Sequence, residues 1–383
     1  MRFYGEVWGA VEAGMDDASG RILGAMKTML CLVAACGVWA IAGAAFAQGN
    51  ASLLVLSKRD HTLAIVDAKT LKVGAKVPVG NDPHEVVASS DGRMAWVSNY
   101  GSGQYNTLAV IDLVNAKALP AVDLGVLHGP HGLDFGDGKV WFTAETNKII
   151  GRVDPATSKV DWLLGTGQNR THMIWVSKDE QRIVTTNVNA GTVSLMEREV
   201  QRMQGPPPGM GGPGGPGGPP PGGGPPPRPN GDGKDWNEVV VKVGNGSEGF
   251  DLSPDEREIW VGNAQDGTIS VIDYAAKKVV ATLEADVRGV NRVMFTPDGK
   301  HILVSTLSGP DLTVLDAATR KVIKRVPIGH GAAGIEMDPN GKRAFVACTP
   351  DGYVAVIDLA TLTMNGKIDA GPEPDGMAWA VRR

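Results

Sequence analysis

The stretch Asn81–Gly125, NDPHEVVASSDGRMAWVSNYGSGQYNTLAVIDLVNAKALPAVDLG, alternates short apolar runs with turn residues. HEVVAS, MAWVSN, TLAVID and the run ending in VDLG read as four successive antiparallel strands. The same order of runs returns downstream. VLHGPHGLDF, VWFTAE, IIGRVD and LLGTG follow from Val126, and GSEGFDLSPDE, IWVGN, TISVID and VVATLEAD from Asn245. Further copies begin at Val287 and His330. A four-strand unit with a period of roughly 42 to 45 residues predicts an all-β fold, a β-propeller with one blade per repeat. One small twisted sheet cannot bury both faces alone, so such units stack around an axis.

The repeats align position by position. Three residues before the end of each second strand stand Leu54, Trp96, Phe142, Val184, Trp260, Leu303 and Phe345, all apolar, as a core position between blades requires. The third strands close on Asp67, Asp112, Asp154, Glu197, Asp273, Asp316 and Asp358, where a carboxylate can cap the N–H groups of the next turn. The first unit, Ser52–Gly80, lacks a first strand, and the last residues, PEPDGMAWAVRR, are a first strand with nothing after it. The ring is therefore expected to hold seven blades, with the C-terminal strand completing blade one and removing a sheet edge. The repeated SPDG-type turn, the (V/W)(V/S)N strand end and the TxxVID strand resemble the YVTN-repeat, YncE-like family of seven-bladed propellers, in the lactonase-like and cytochrome d1-like group. That resemblance runs from residue 52 to 383 apart from one insertion; it implies the fold and names no catalytic residue.

Met26-Lys27 and the apolar run Met29–Ala47, ending in Ala45-Phe46-Ala47, have the form of a secretory signal with its start at Met26 and cleavage before Gln48. Residues 1–47 are accordingly expected to be an N-terminal extension and signal peptide, and 48–383 the propeller. Export to the periplasm or outside the cell is expected, a lipoprotein or an N-terminal membrane anchor being the alternatives. After export only Cys348 remains, so no disulfide is available; a small half-buried thiol is expected there. A run of Pro and Gly, residues 204–234, interrupts blade four between its third and fourth strands and is expected to be a disordered spacer on the bottom face. A net charge of −5 gives no electrostatic footprint for nucleic acid, and none is expected as a partner. The chain is expected to act as a monomer.

The residue at the mouth of each first strand reads, from blade one, Asp375, His84, His131, His172, Glu248, Asn291 and Ala333. Three of the seven histidines in the chain thus share one register in consecutive blades. First strands converge on the propeller axis, so His84, His131 and His172 are expected to hold a divalent transition metal (Zn, Cu, Fe or Mn), with Glu248 as fourth ligand or as base for a bound water. Asn99, Glu145, Asn187, Asn263, Asn291 and Asp375 are expected to line the surrounding funnel, with Tyr100 and Tyr105 nearby and Arg170, Arg288 and Arg292 available to an anion. Two functional classes follow. One is an exported module binding a small molecule or peptide in the funnel; the other is a metal-dependent hydrolase, lyase or oxidoreductase using the same funnel. Phosphate-binding Gly loops, nucleophile elbows, CxxCH and HExxH motifs are absent from the sequence.

Overall fold

The computed structural model describes residues 50–200 and 234–383. The expected signal segment with its start and cleavage site, and the Pro/Gly-rich insertion up to Gly233, lie outside the described residues. Seven four-stranded antiparallel sheets are present, and the innermost strands touch their neighbours in an unbroken ring. Blade one is ordered Pro374–Val381, Ala51–Ser57, Thr62–Asp67, Val73–Pro78, so the C-terminal strand is its innermost strand, as the sequence predicts. That strand pairs from Ala51↔Val381 to Ser57↔Pro374.

Second and third strands are buried on both faces, which explains their near-continuous Val, Ile and Leu content. The aligned apolar column lies between blades. Trp96 of blade two packs in one cluster with Val140 and Phe142 of blade three. Phe345 of blade seven packs likewise with Leu53 and Val55 of blade one. The third-strand carboxylates cap their turns: Asp67, Asp112, Asp154, Asp273, Asp316 and Asp358 each accept a backbone N–H two or three residues on. Blade four has Glu197 at this position. There the hairpin runs on, with Thr192–Val200 paired to Lys234–Lys242 out to Val200↔Lys234. The fourth strand therefore starts at Lys234, ahead of the NEVVVKVG run in which it was expected.

One residue past the mouth, Gly132, Gly249, Gly334 and Gly376 let the next blade's backbone come close. A Cβ there would sit 2.2–2.3 Å from the carbonyl oxygens of His172, Asn291, Asp375 and His84 respectively. Hydroxyls on second strands fix the same carbonyl register. Thr143 Oγ1 donates to His172 O at 2.6 Å, Thr186 Oγ1 to Glu248 O at 2.7 Å and Ser305 Oγ to Ala333 O at 2.6 Å. The mouth residues are thus held by interlocking blades rather than by loops. Cys348 is fully buried in the core of blade seven, and burial pushes its thiol up to about 12.

Candidate metal centre in the top funnel

The mouth register brings the three imidazoles together, as its spacing implies. The rings of His84 and His131 lie 5.0 Å apart edge to face, and those of His131 and His172 lie 3.9 Å apart. Tyr100 closes the group, 4.8 Å from His84 and 5.0 Å from His131. The three imidazoles are not equivalent. His84 Nε2 is taken up by Lys58 Nζ at 2.9 Å, and Lys58 also reaches Asp375 at 3.2 Å and Asp82 at 3.6 Å. His172 Nδ1 is in close contact with Glu145, and its Nε2 lies 3.0 Å from Glu248 Oε1. Burial opposes a charge on His172, but the Glu248 and Glu145 carboxylates outweigh it and raise its pKa to about 9. Burial works in the same direction at His131, where nothing offsets it: with His172 and His84 beside it adding to the effect, its pKa falls well below the usual value. His131 is a neutral ring, 4% exposed, and its Nδ1 is buried without a hydrogen-bond partner.

Donor atoms of His131, Glu145 and His172 all lie within 4.8 Å of one another, and all three residues are buried. This is the donor set the structure assembles. It retains His131 and His172 from the expected set, brings in Glu145, and leaves His84 with Lys58. Two imidazoles and a carboxylate suit a first-row transition ion. Tyr100 donates to the far oxygen of Glu145 at 2.6 Å and Arg170 Nε approaches the same carboxylate at 3.3 Å. Burial pushes this carboxyl up, but His172 above all, then Arg170 and Tyr100, outweigh it and hold it below its ordinary range. Glu248 lies beside the ring nitrogen of His172 opposite Glu145, where a carboxylate orients a ligating imidazole. Burial pushes its carboxyl up, but His172 and Arg170 outweigh it and hold its pKa down to about 2.

Of the other expected funnel residues, Asn291 and Asp375 line the cavity. Glu145 and His172 are not part of its lining, and Asn99, Asn187 and Asn263 do not reach it either. They are buried and donate to Thr107, Thr192 with Ser194, and Thr268 with Ser270 inside their own blades. Arg288 and Tyr105 also lie outside the cavity lining. The cavity holds about 200 Å³. Its floor is an ion pair between Glu85 of blade two and Arg292 of blade six, which face each other across the channel. Both replace the glycine found one residue past the mouth in four other blades, and the missing side chains there leave room for the pair. A wider, solvent-open cleft of about 690 Å³ lies between the outer strands of blades four and five, but no imidazole lines it.

Backbone strain marks the same rim. In every blade the residue two before the mouth is left-handed, and it is glycine in blades three, five, six and seven. Blades one, two and four place Glu373, Asp82 and Arg170 there, at φ of 51°, 48° and 60°. An L-residue costs about 1–2 kcal/mol in this region. At Asp82 and Arg170 the strain sets a charge against His84 and Glu145, which is where such strain is informative about function.

Fold and site together define a seven-bladed β-propeller with a closed, polar, histidine-bearing funnel at one end. Residues 231–340 match the family described as YNCE-like beta-propeller. Protein NirF of Stutzerimonas stutzeri is 31% identical over 107 residues, a match spanning 27% of this chain and 27% of that protein. A putative 6-phosphogluconolactonase from Bacteroides uniformis ATCC 8492 superposes with a TM-score of 0.64 at 14% identity, over 86% of this chain and 100% of that one. The dihydro-heme d1 dehydrogenase NirN, in complex with DHE, gives 0.55 at 15% identity, over 85% and 74%. The YNCE-like match lies within residues 231–340, the chain spans about a quarter of the length of the curated relative it matches, and the solved structures share its propeller fold.

Proposed function

We propose that the funnel is a metal-dependent ligand site, in which His131, His172 and Glu145 hold one divalent transition ion and a small molecule is received above it. The observation that carries this reading is buried His131, whose Nδ1 has no hydrogen-bond partner and one of whose ring nitrogens lies within 4.8 Å of donor atoms of a second imidazole and a carboxylate. A buried polar atom without a partner is costly unless a ligand completes it. A bound ion there would act as a Lewis acid toward a carbonyl or phosphoryl oxygen or acidify a water. The chain's own residues then divide the work. Glu248 orients His172, Tyr100 and Arg170 orient Glu145, and Lys58 with Arg292 offers positive charge to an anionic group. Catalysis of hydrolysis, lyase or redox chemistry at the ion is the enzyme form of this proposal; capture of the ligand alone is the binding form. The apolar run before Gln48 supports a site of action beyond the cytoplasm. Among the described residues no helix is long and apolar enough to cross a membrane.

A second reading draws on the structure of NirN, a dihydro-heme d1 dehydrogenase: a tetrapyrrole ligand. At about 200 Å³ the funnel lies below the range for drug-sized ligands, so a macrocycle would rest on the rim with only a substituent inside. Titrating chelator-treated protein with Co²⁺ and, separately, with ferric porphyrin separates the two. Visible bands of four- or five-coordinate Co²⁺, lost in Glu145→Gln, support the metal site. A porphyrin spectrum perturbed in protein that leaves Co²⁺ in its aqueous form favours the second reading.

A further inference from the structure

The funnel is two-sided. Directly after the second strand stand Lys58, Tyr100 and Glu145 in blades one to three, but Leu307 and Thr349 in blades six and seven. The mouth register changes in the same sense, from Asp375, His84, His131 and His172 in blades one to four to Asn291 and Ala333 in blades six and seven. Leu307, Ala333 and Thr349 line the cavity on that second side. Leu307 is 53% exposed, an isobutyl group in a lining whose other large side chains are all polar. Thr349 donates its hydroxyl to Pro374 O at 2.8 Å, and Ala333 adds only a methyl group. Asn291 stands where the two sides meet. Its Oδ1 accepts from Arg292 Nη1 at 3.0 Å, which orients the amide, and its Nδ2 has no acceptor among the described residues. An open apolar wall beside one free donor is how a small-molecule site holds a hydrocarbon part and sets its direction.

Charge sets the other end of the ligand. Lys58 meets Asp375 at 3.2 Å, Arg170 approaches Glu248 at 4.0 Å and Arg292 is paired with Glu85, so the three cations and three carboxylates of the lining sum to zero. Asp82 also reaches Lys58, at 3.6 Å, but from outside the lining and with its side chain 28% exposed, where solvent screens it. A divalent ion held by two neutral imidazoles and the Glu145 carboxylate adds one positive charge to that balance. One negative charge on the ligand matches it, and a dianion overshoots. Size is the last constraint. A cavity of about 200 Å³ takes about seven groups the size of a water, at about 30 Å³ each.

We propose that the funnel's ligand is a short aliphatic monocarboxylate, its carboxylate at the ion, its chain against Leu307 and Ala333, and Asn291 Nδ2 offering it a hydrogen bond between the two. This rests on the metal reading of the funnel and adds the residues that select the ligand. The ion site reads the charge, and the wall of blades six and seven reads the chain.

The test loads chelator-treated protein with Co²⁺ and titrates it with acetate, propionate, butyrate and pentanoate, following the visible bands of the ion. Affinity is expected to rise about fourfold per added CH₂, the worth of a buried methylene, and to level off as the cavity fills. Leu307→Ser, at an exposed position that leaves the core intact, is expected to flatten this rise and to leave acetate affinity unchanged. Butylamine, butyramide and inorganic phosphate should all bind more weakly than butyrate. Affinity independent of chain length in the parent, or a rise as steep in Leu307→Ser, would overturn the apolar wall. Tighter binding of phosphate or butylamine than of butyrate would overturn the charge assignment. Bands that no acid perturbs in Co²⁺-loaded protein would overturn this proposal and leave the ion site standing. Protein that takes up no Co²⁺ would remove the metal reading and this proposal together.

Discussion

The Glu85–Arg292 pair that floors the funnel makes a quantitative prediction. Arg292 is 8% exposed, and its guanidinium has Glu85 and the Asn291 carbonyls as its hydrogen-bond acceptors. Burial pushes the Glu85 carboxyl above its ordinary range, and Arg292 brings it back only in part. Both charges have therefore been taken far out of water, and each depends on the other. Glu85→Ala leaves a buried guanidinium uncompensated, which costs about 3–5 kcal/mol. At about 2 °C per kcal/mol for a domain of this size, Tm should drop by about 6–10 °C. Arg292→Met should cost a similar amount, while Glu85→Met with Arg292→Met should recover most of it, since apolar groups replace both ions. The assay is thermal unfolding of the four proteins, read as a double-mutant cycle. Single variants as stable as the parent, or an additive double variant, would refute the floor as a coupled cross-channel pair.

Deleting residues 372–383 removes the innermost strand of blade one, including Met377 and Ala380 from its core; insoluble protein or a Tm lower by tens of degrees is expected, and a loss of only a few degrees would deny that this strand closes the ring. Glu373→Gly should be neutral or raise stability by roughly 1 kcal/mol, because it relieves a left-handed L-residue whose ion pair with Arg59 is exposed; a clear loss of stability in urea would contradict the strain argument. In chelator-treated protein the His172 pKa of about 9 exceeds its unfolded value of about 6.5, so its contribution is complete below about pH 6.5 and is lost as pH rises through 9. Melting curves of the parent should therefore decline over that window and those of His172→Gln should not; parallel curves would remove the two-carboxylate account of this imidazole.

The fold was legible in the sequence because a propeller repeats its physics. The apolar column from Leu54 to Phe345, the Asp column and the unpaired PEPDGMAWAVRR strand each encode a packing or hydrogen-bonding need that recurs in every blade. The site was legible only in part, because function sits where repeats depart from that pattern. His84, His131 and His172 stood out as a departure at the mouth register. Glu85 and Arg292 depart one residue further on, where four blades have glycine, and Asp82 and Arg170 depart two residues before, where blades three, five, six and seven have it. Lys58 and Tyr100 share the position directly after the second strand, a column whose role depends on which loops fold inward. Asn99, Asn187 and Asn263 misled in the other direction. They recur because their amides tie a hairpin in their own blades, an internal use that an aligned column cannot distinguish from a ring of ligand groups.

The central claim is the ion in the funnel, and metal content tests it most directly. Protein purified without a histidine tag, and reloaded after chelation with Zn²⁺, Cu²⁺, Mn²⁺ or Fe²⁺, should carry one equivalent by elemental analysis. His131→Ala and Glu145→Gln should each lose it, while His84→Ala should retain it, because Lys58 rather than the ion occupies that imidazole. Parent protein that is metal-free and cannot be reloaded with any of the four would contradict the account. Loss in His84→Ala, with retention in Glu145→Gln, would contradict this choice of ligands.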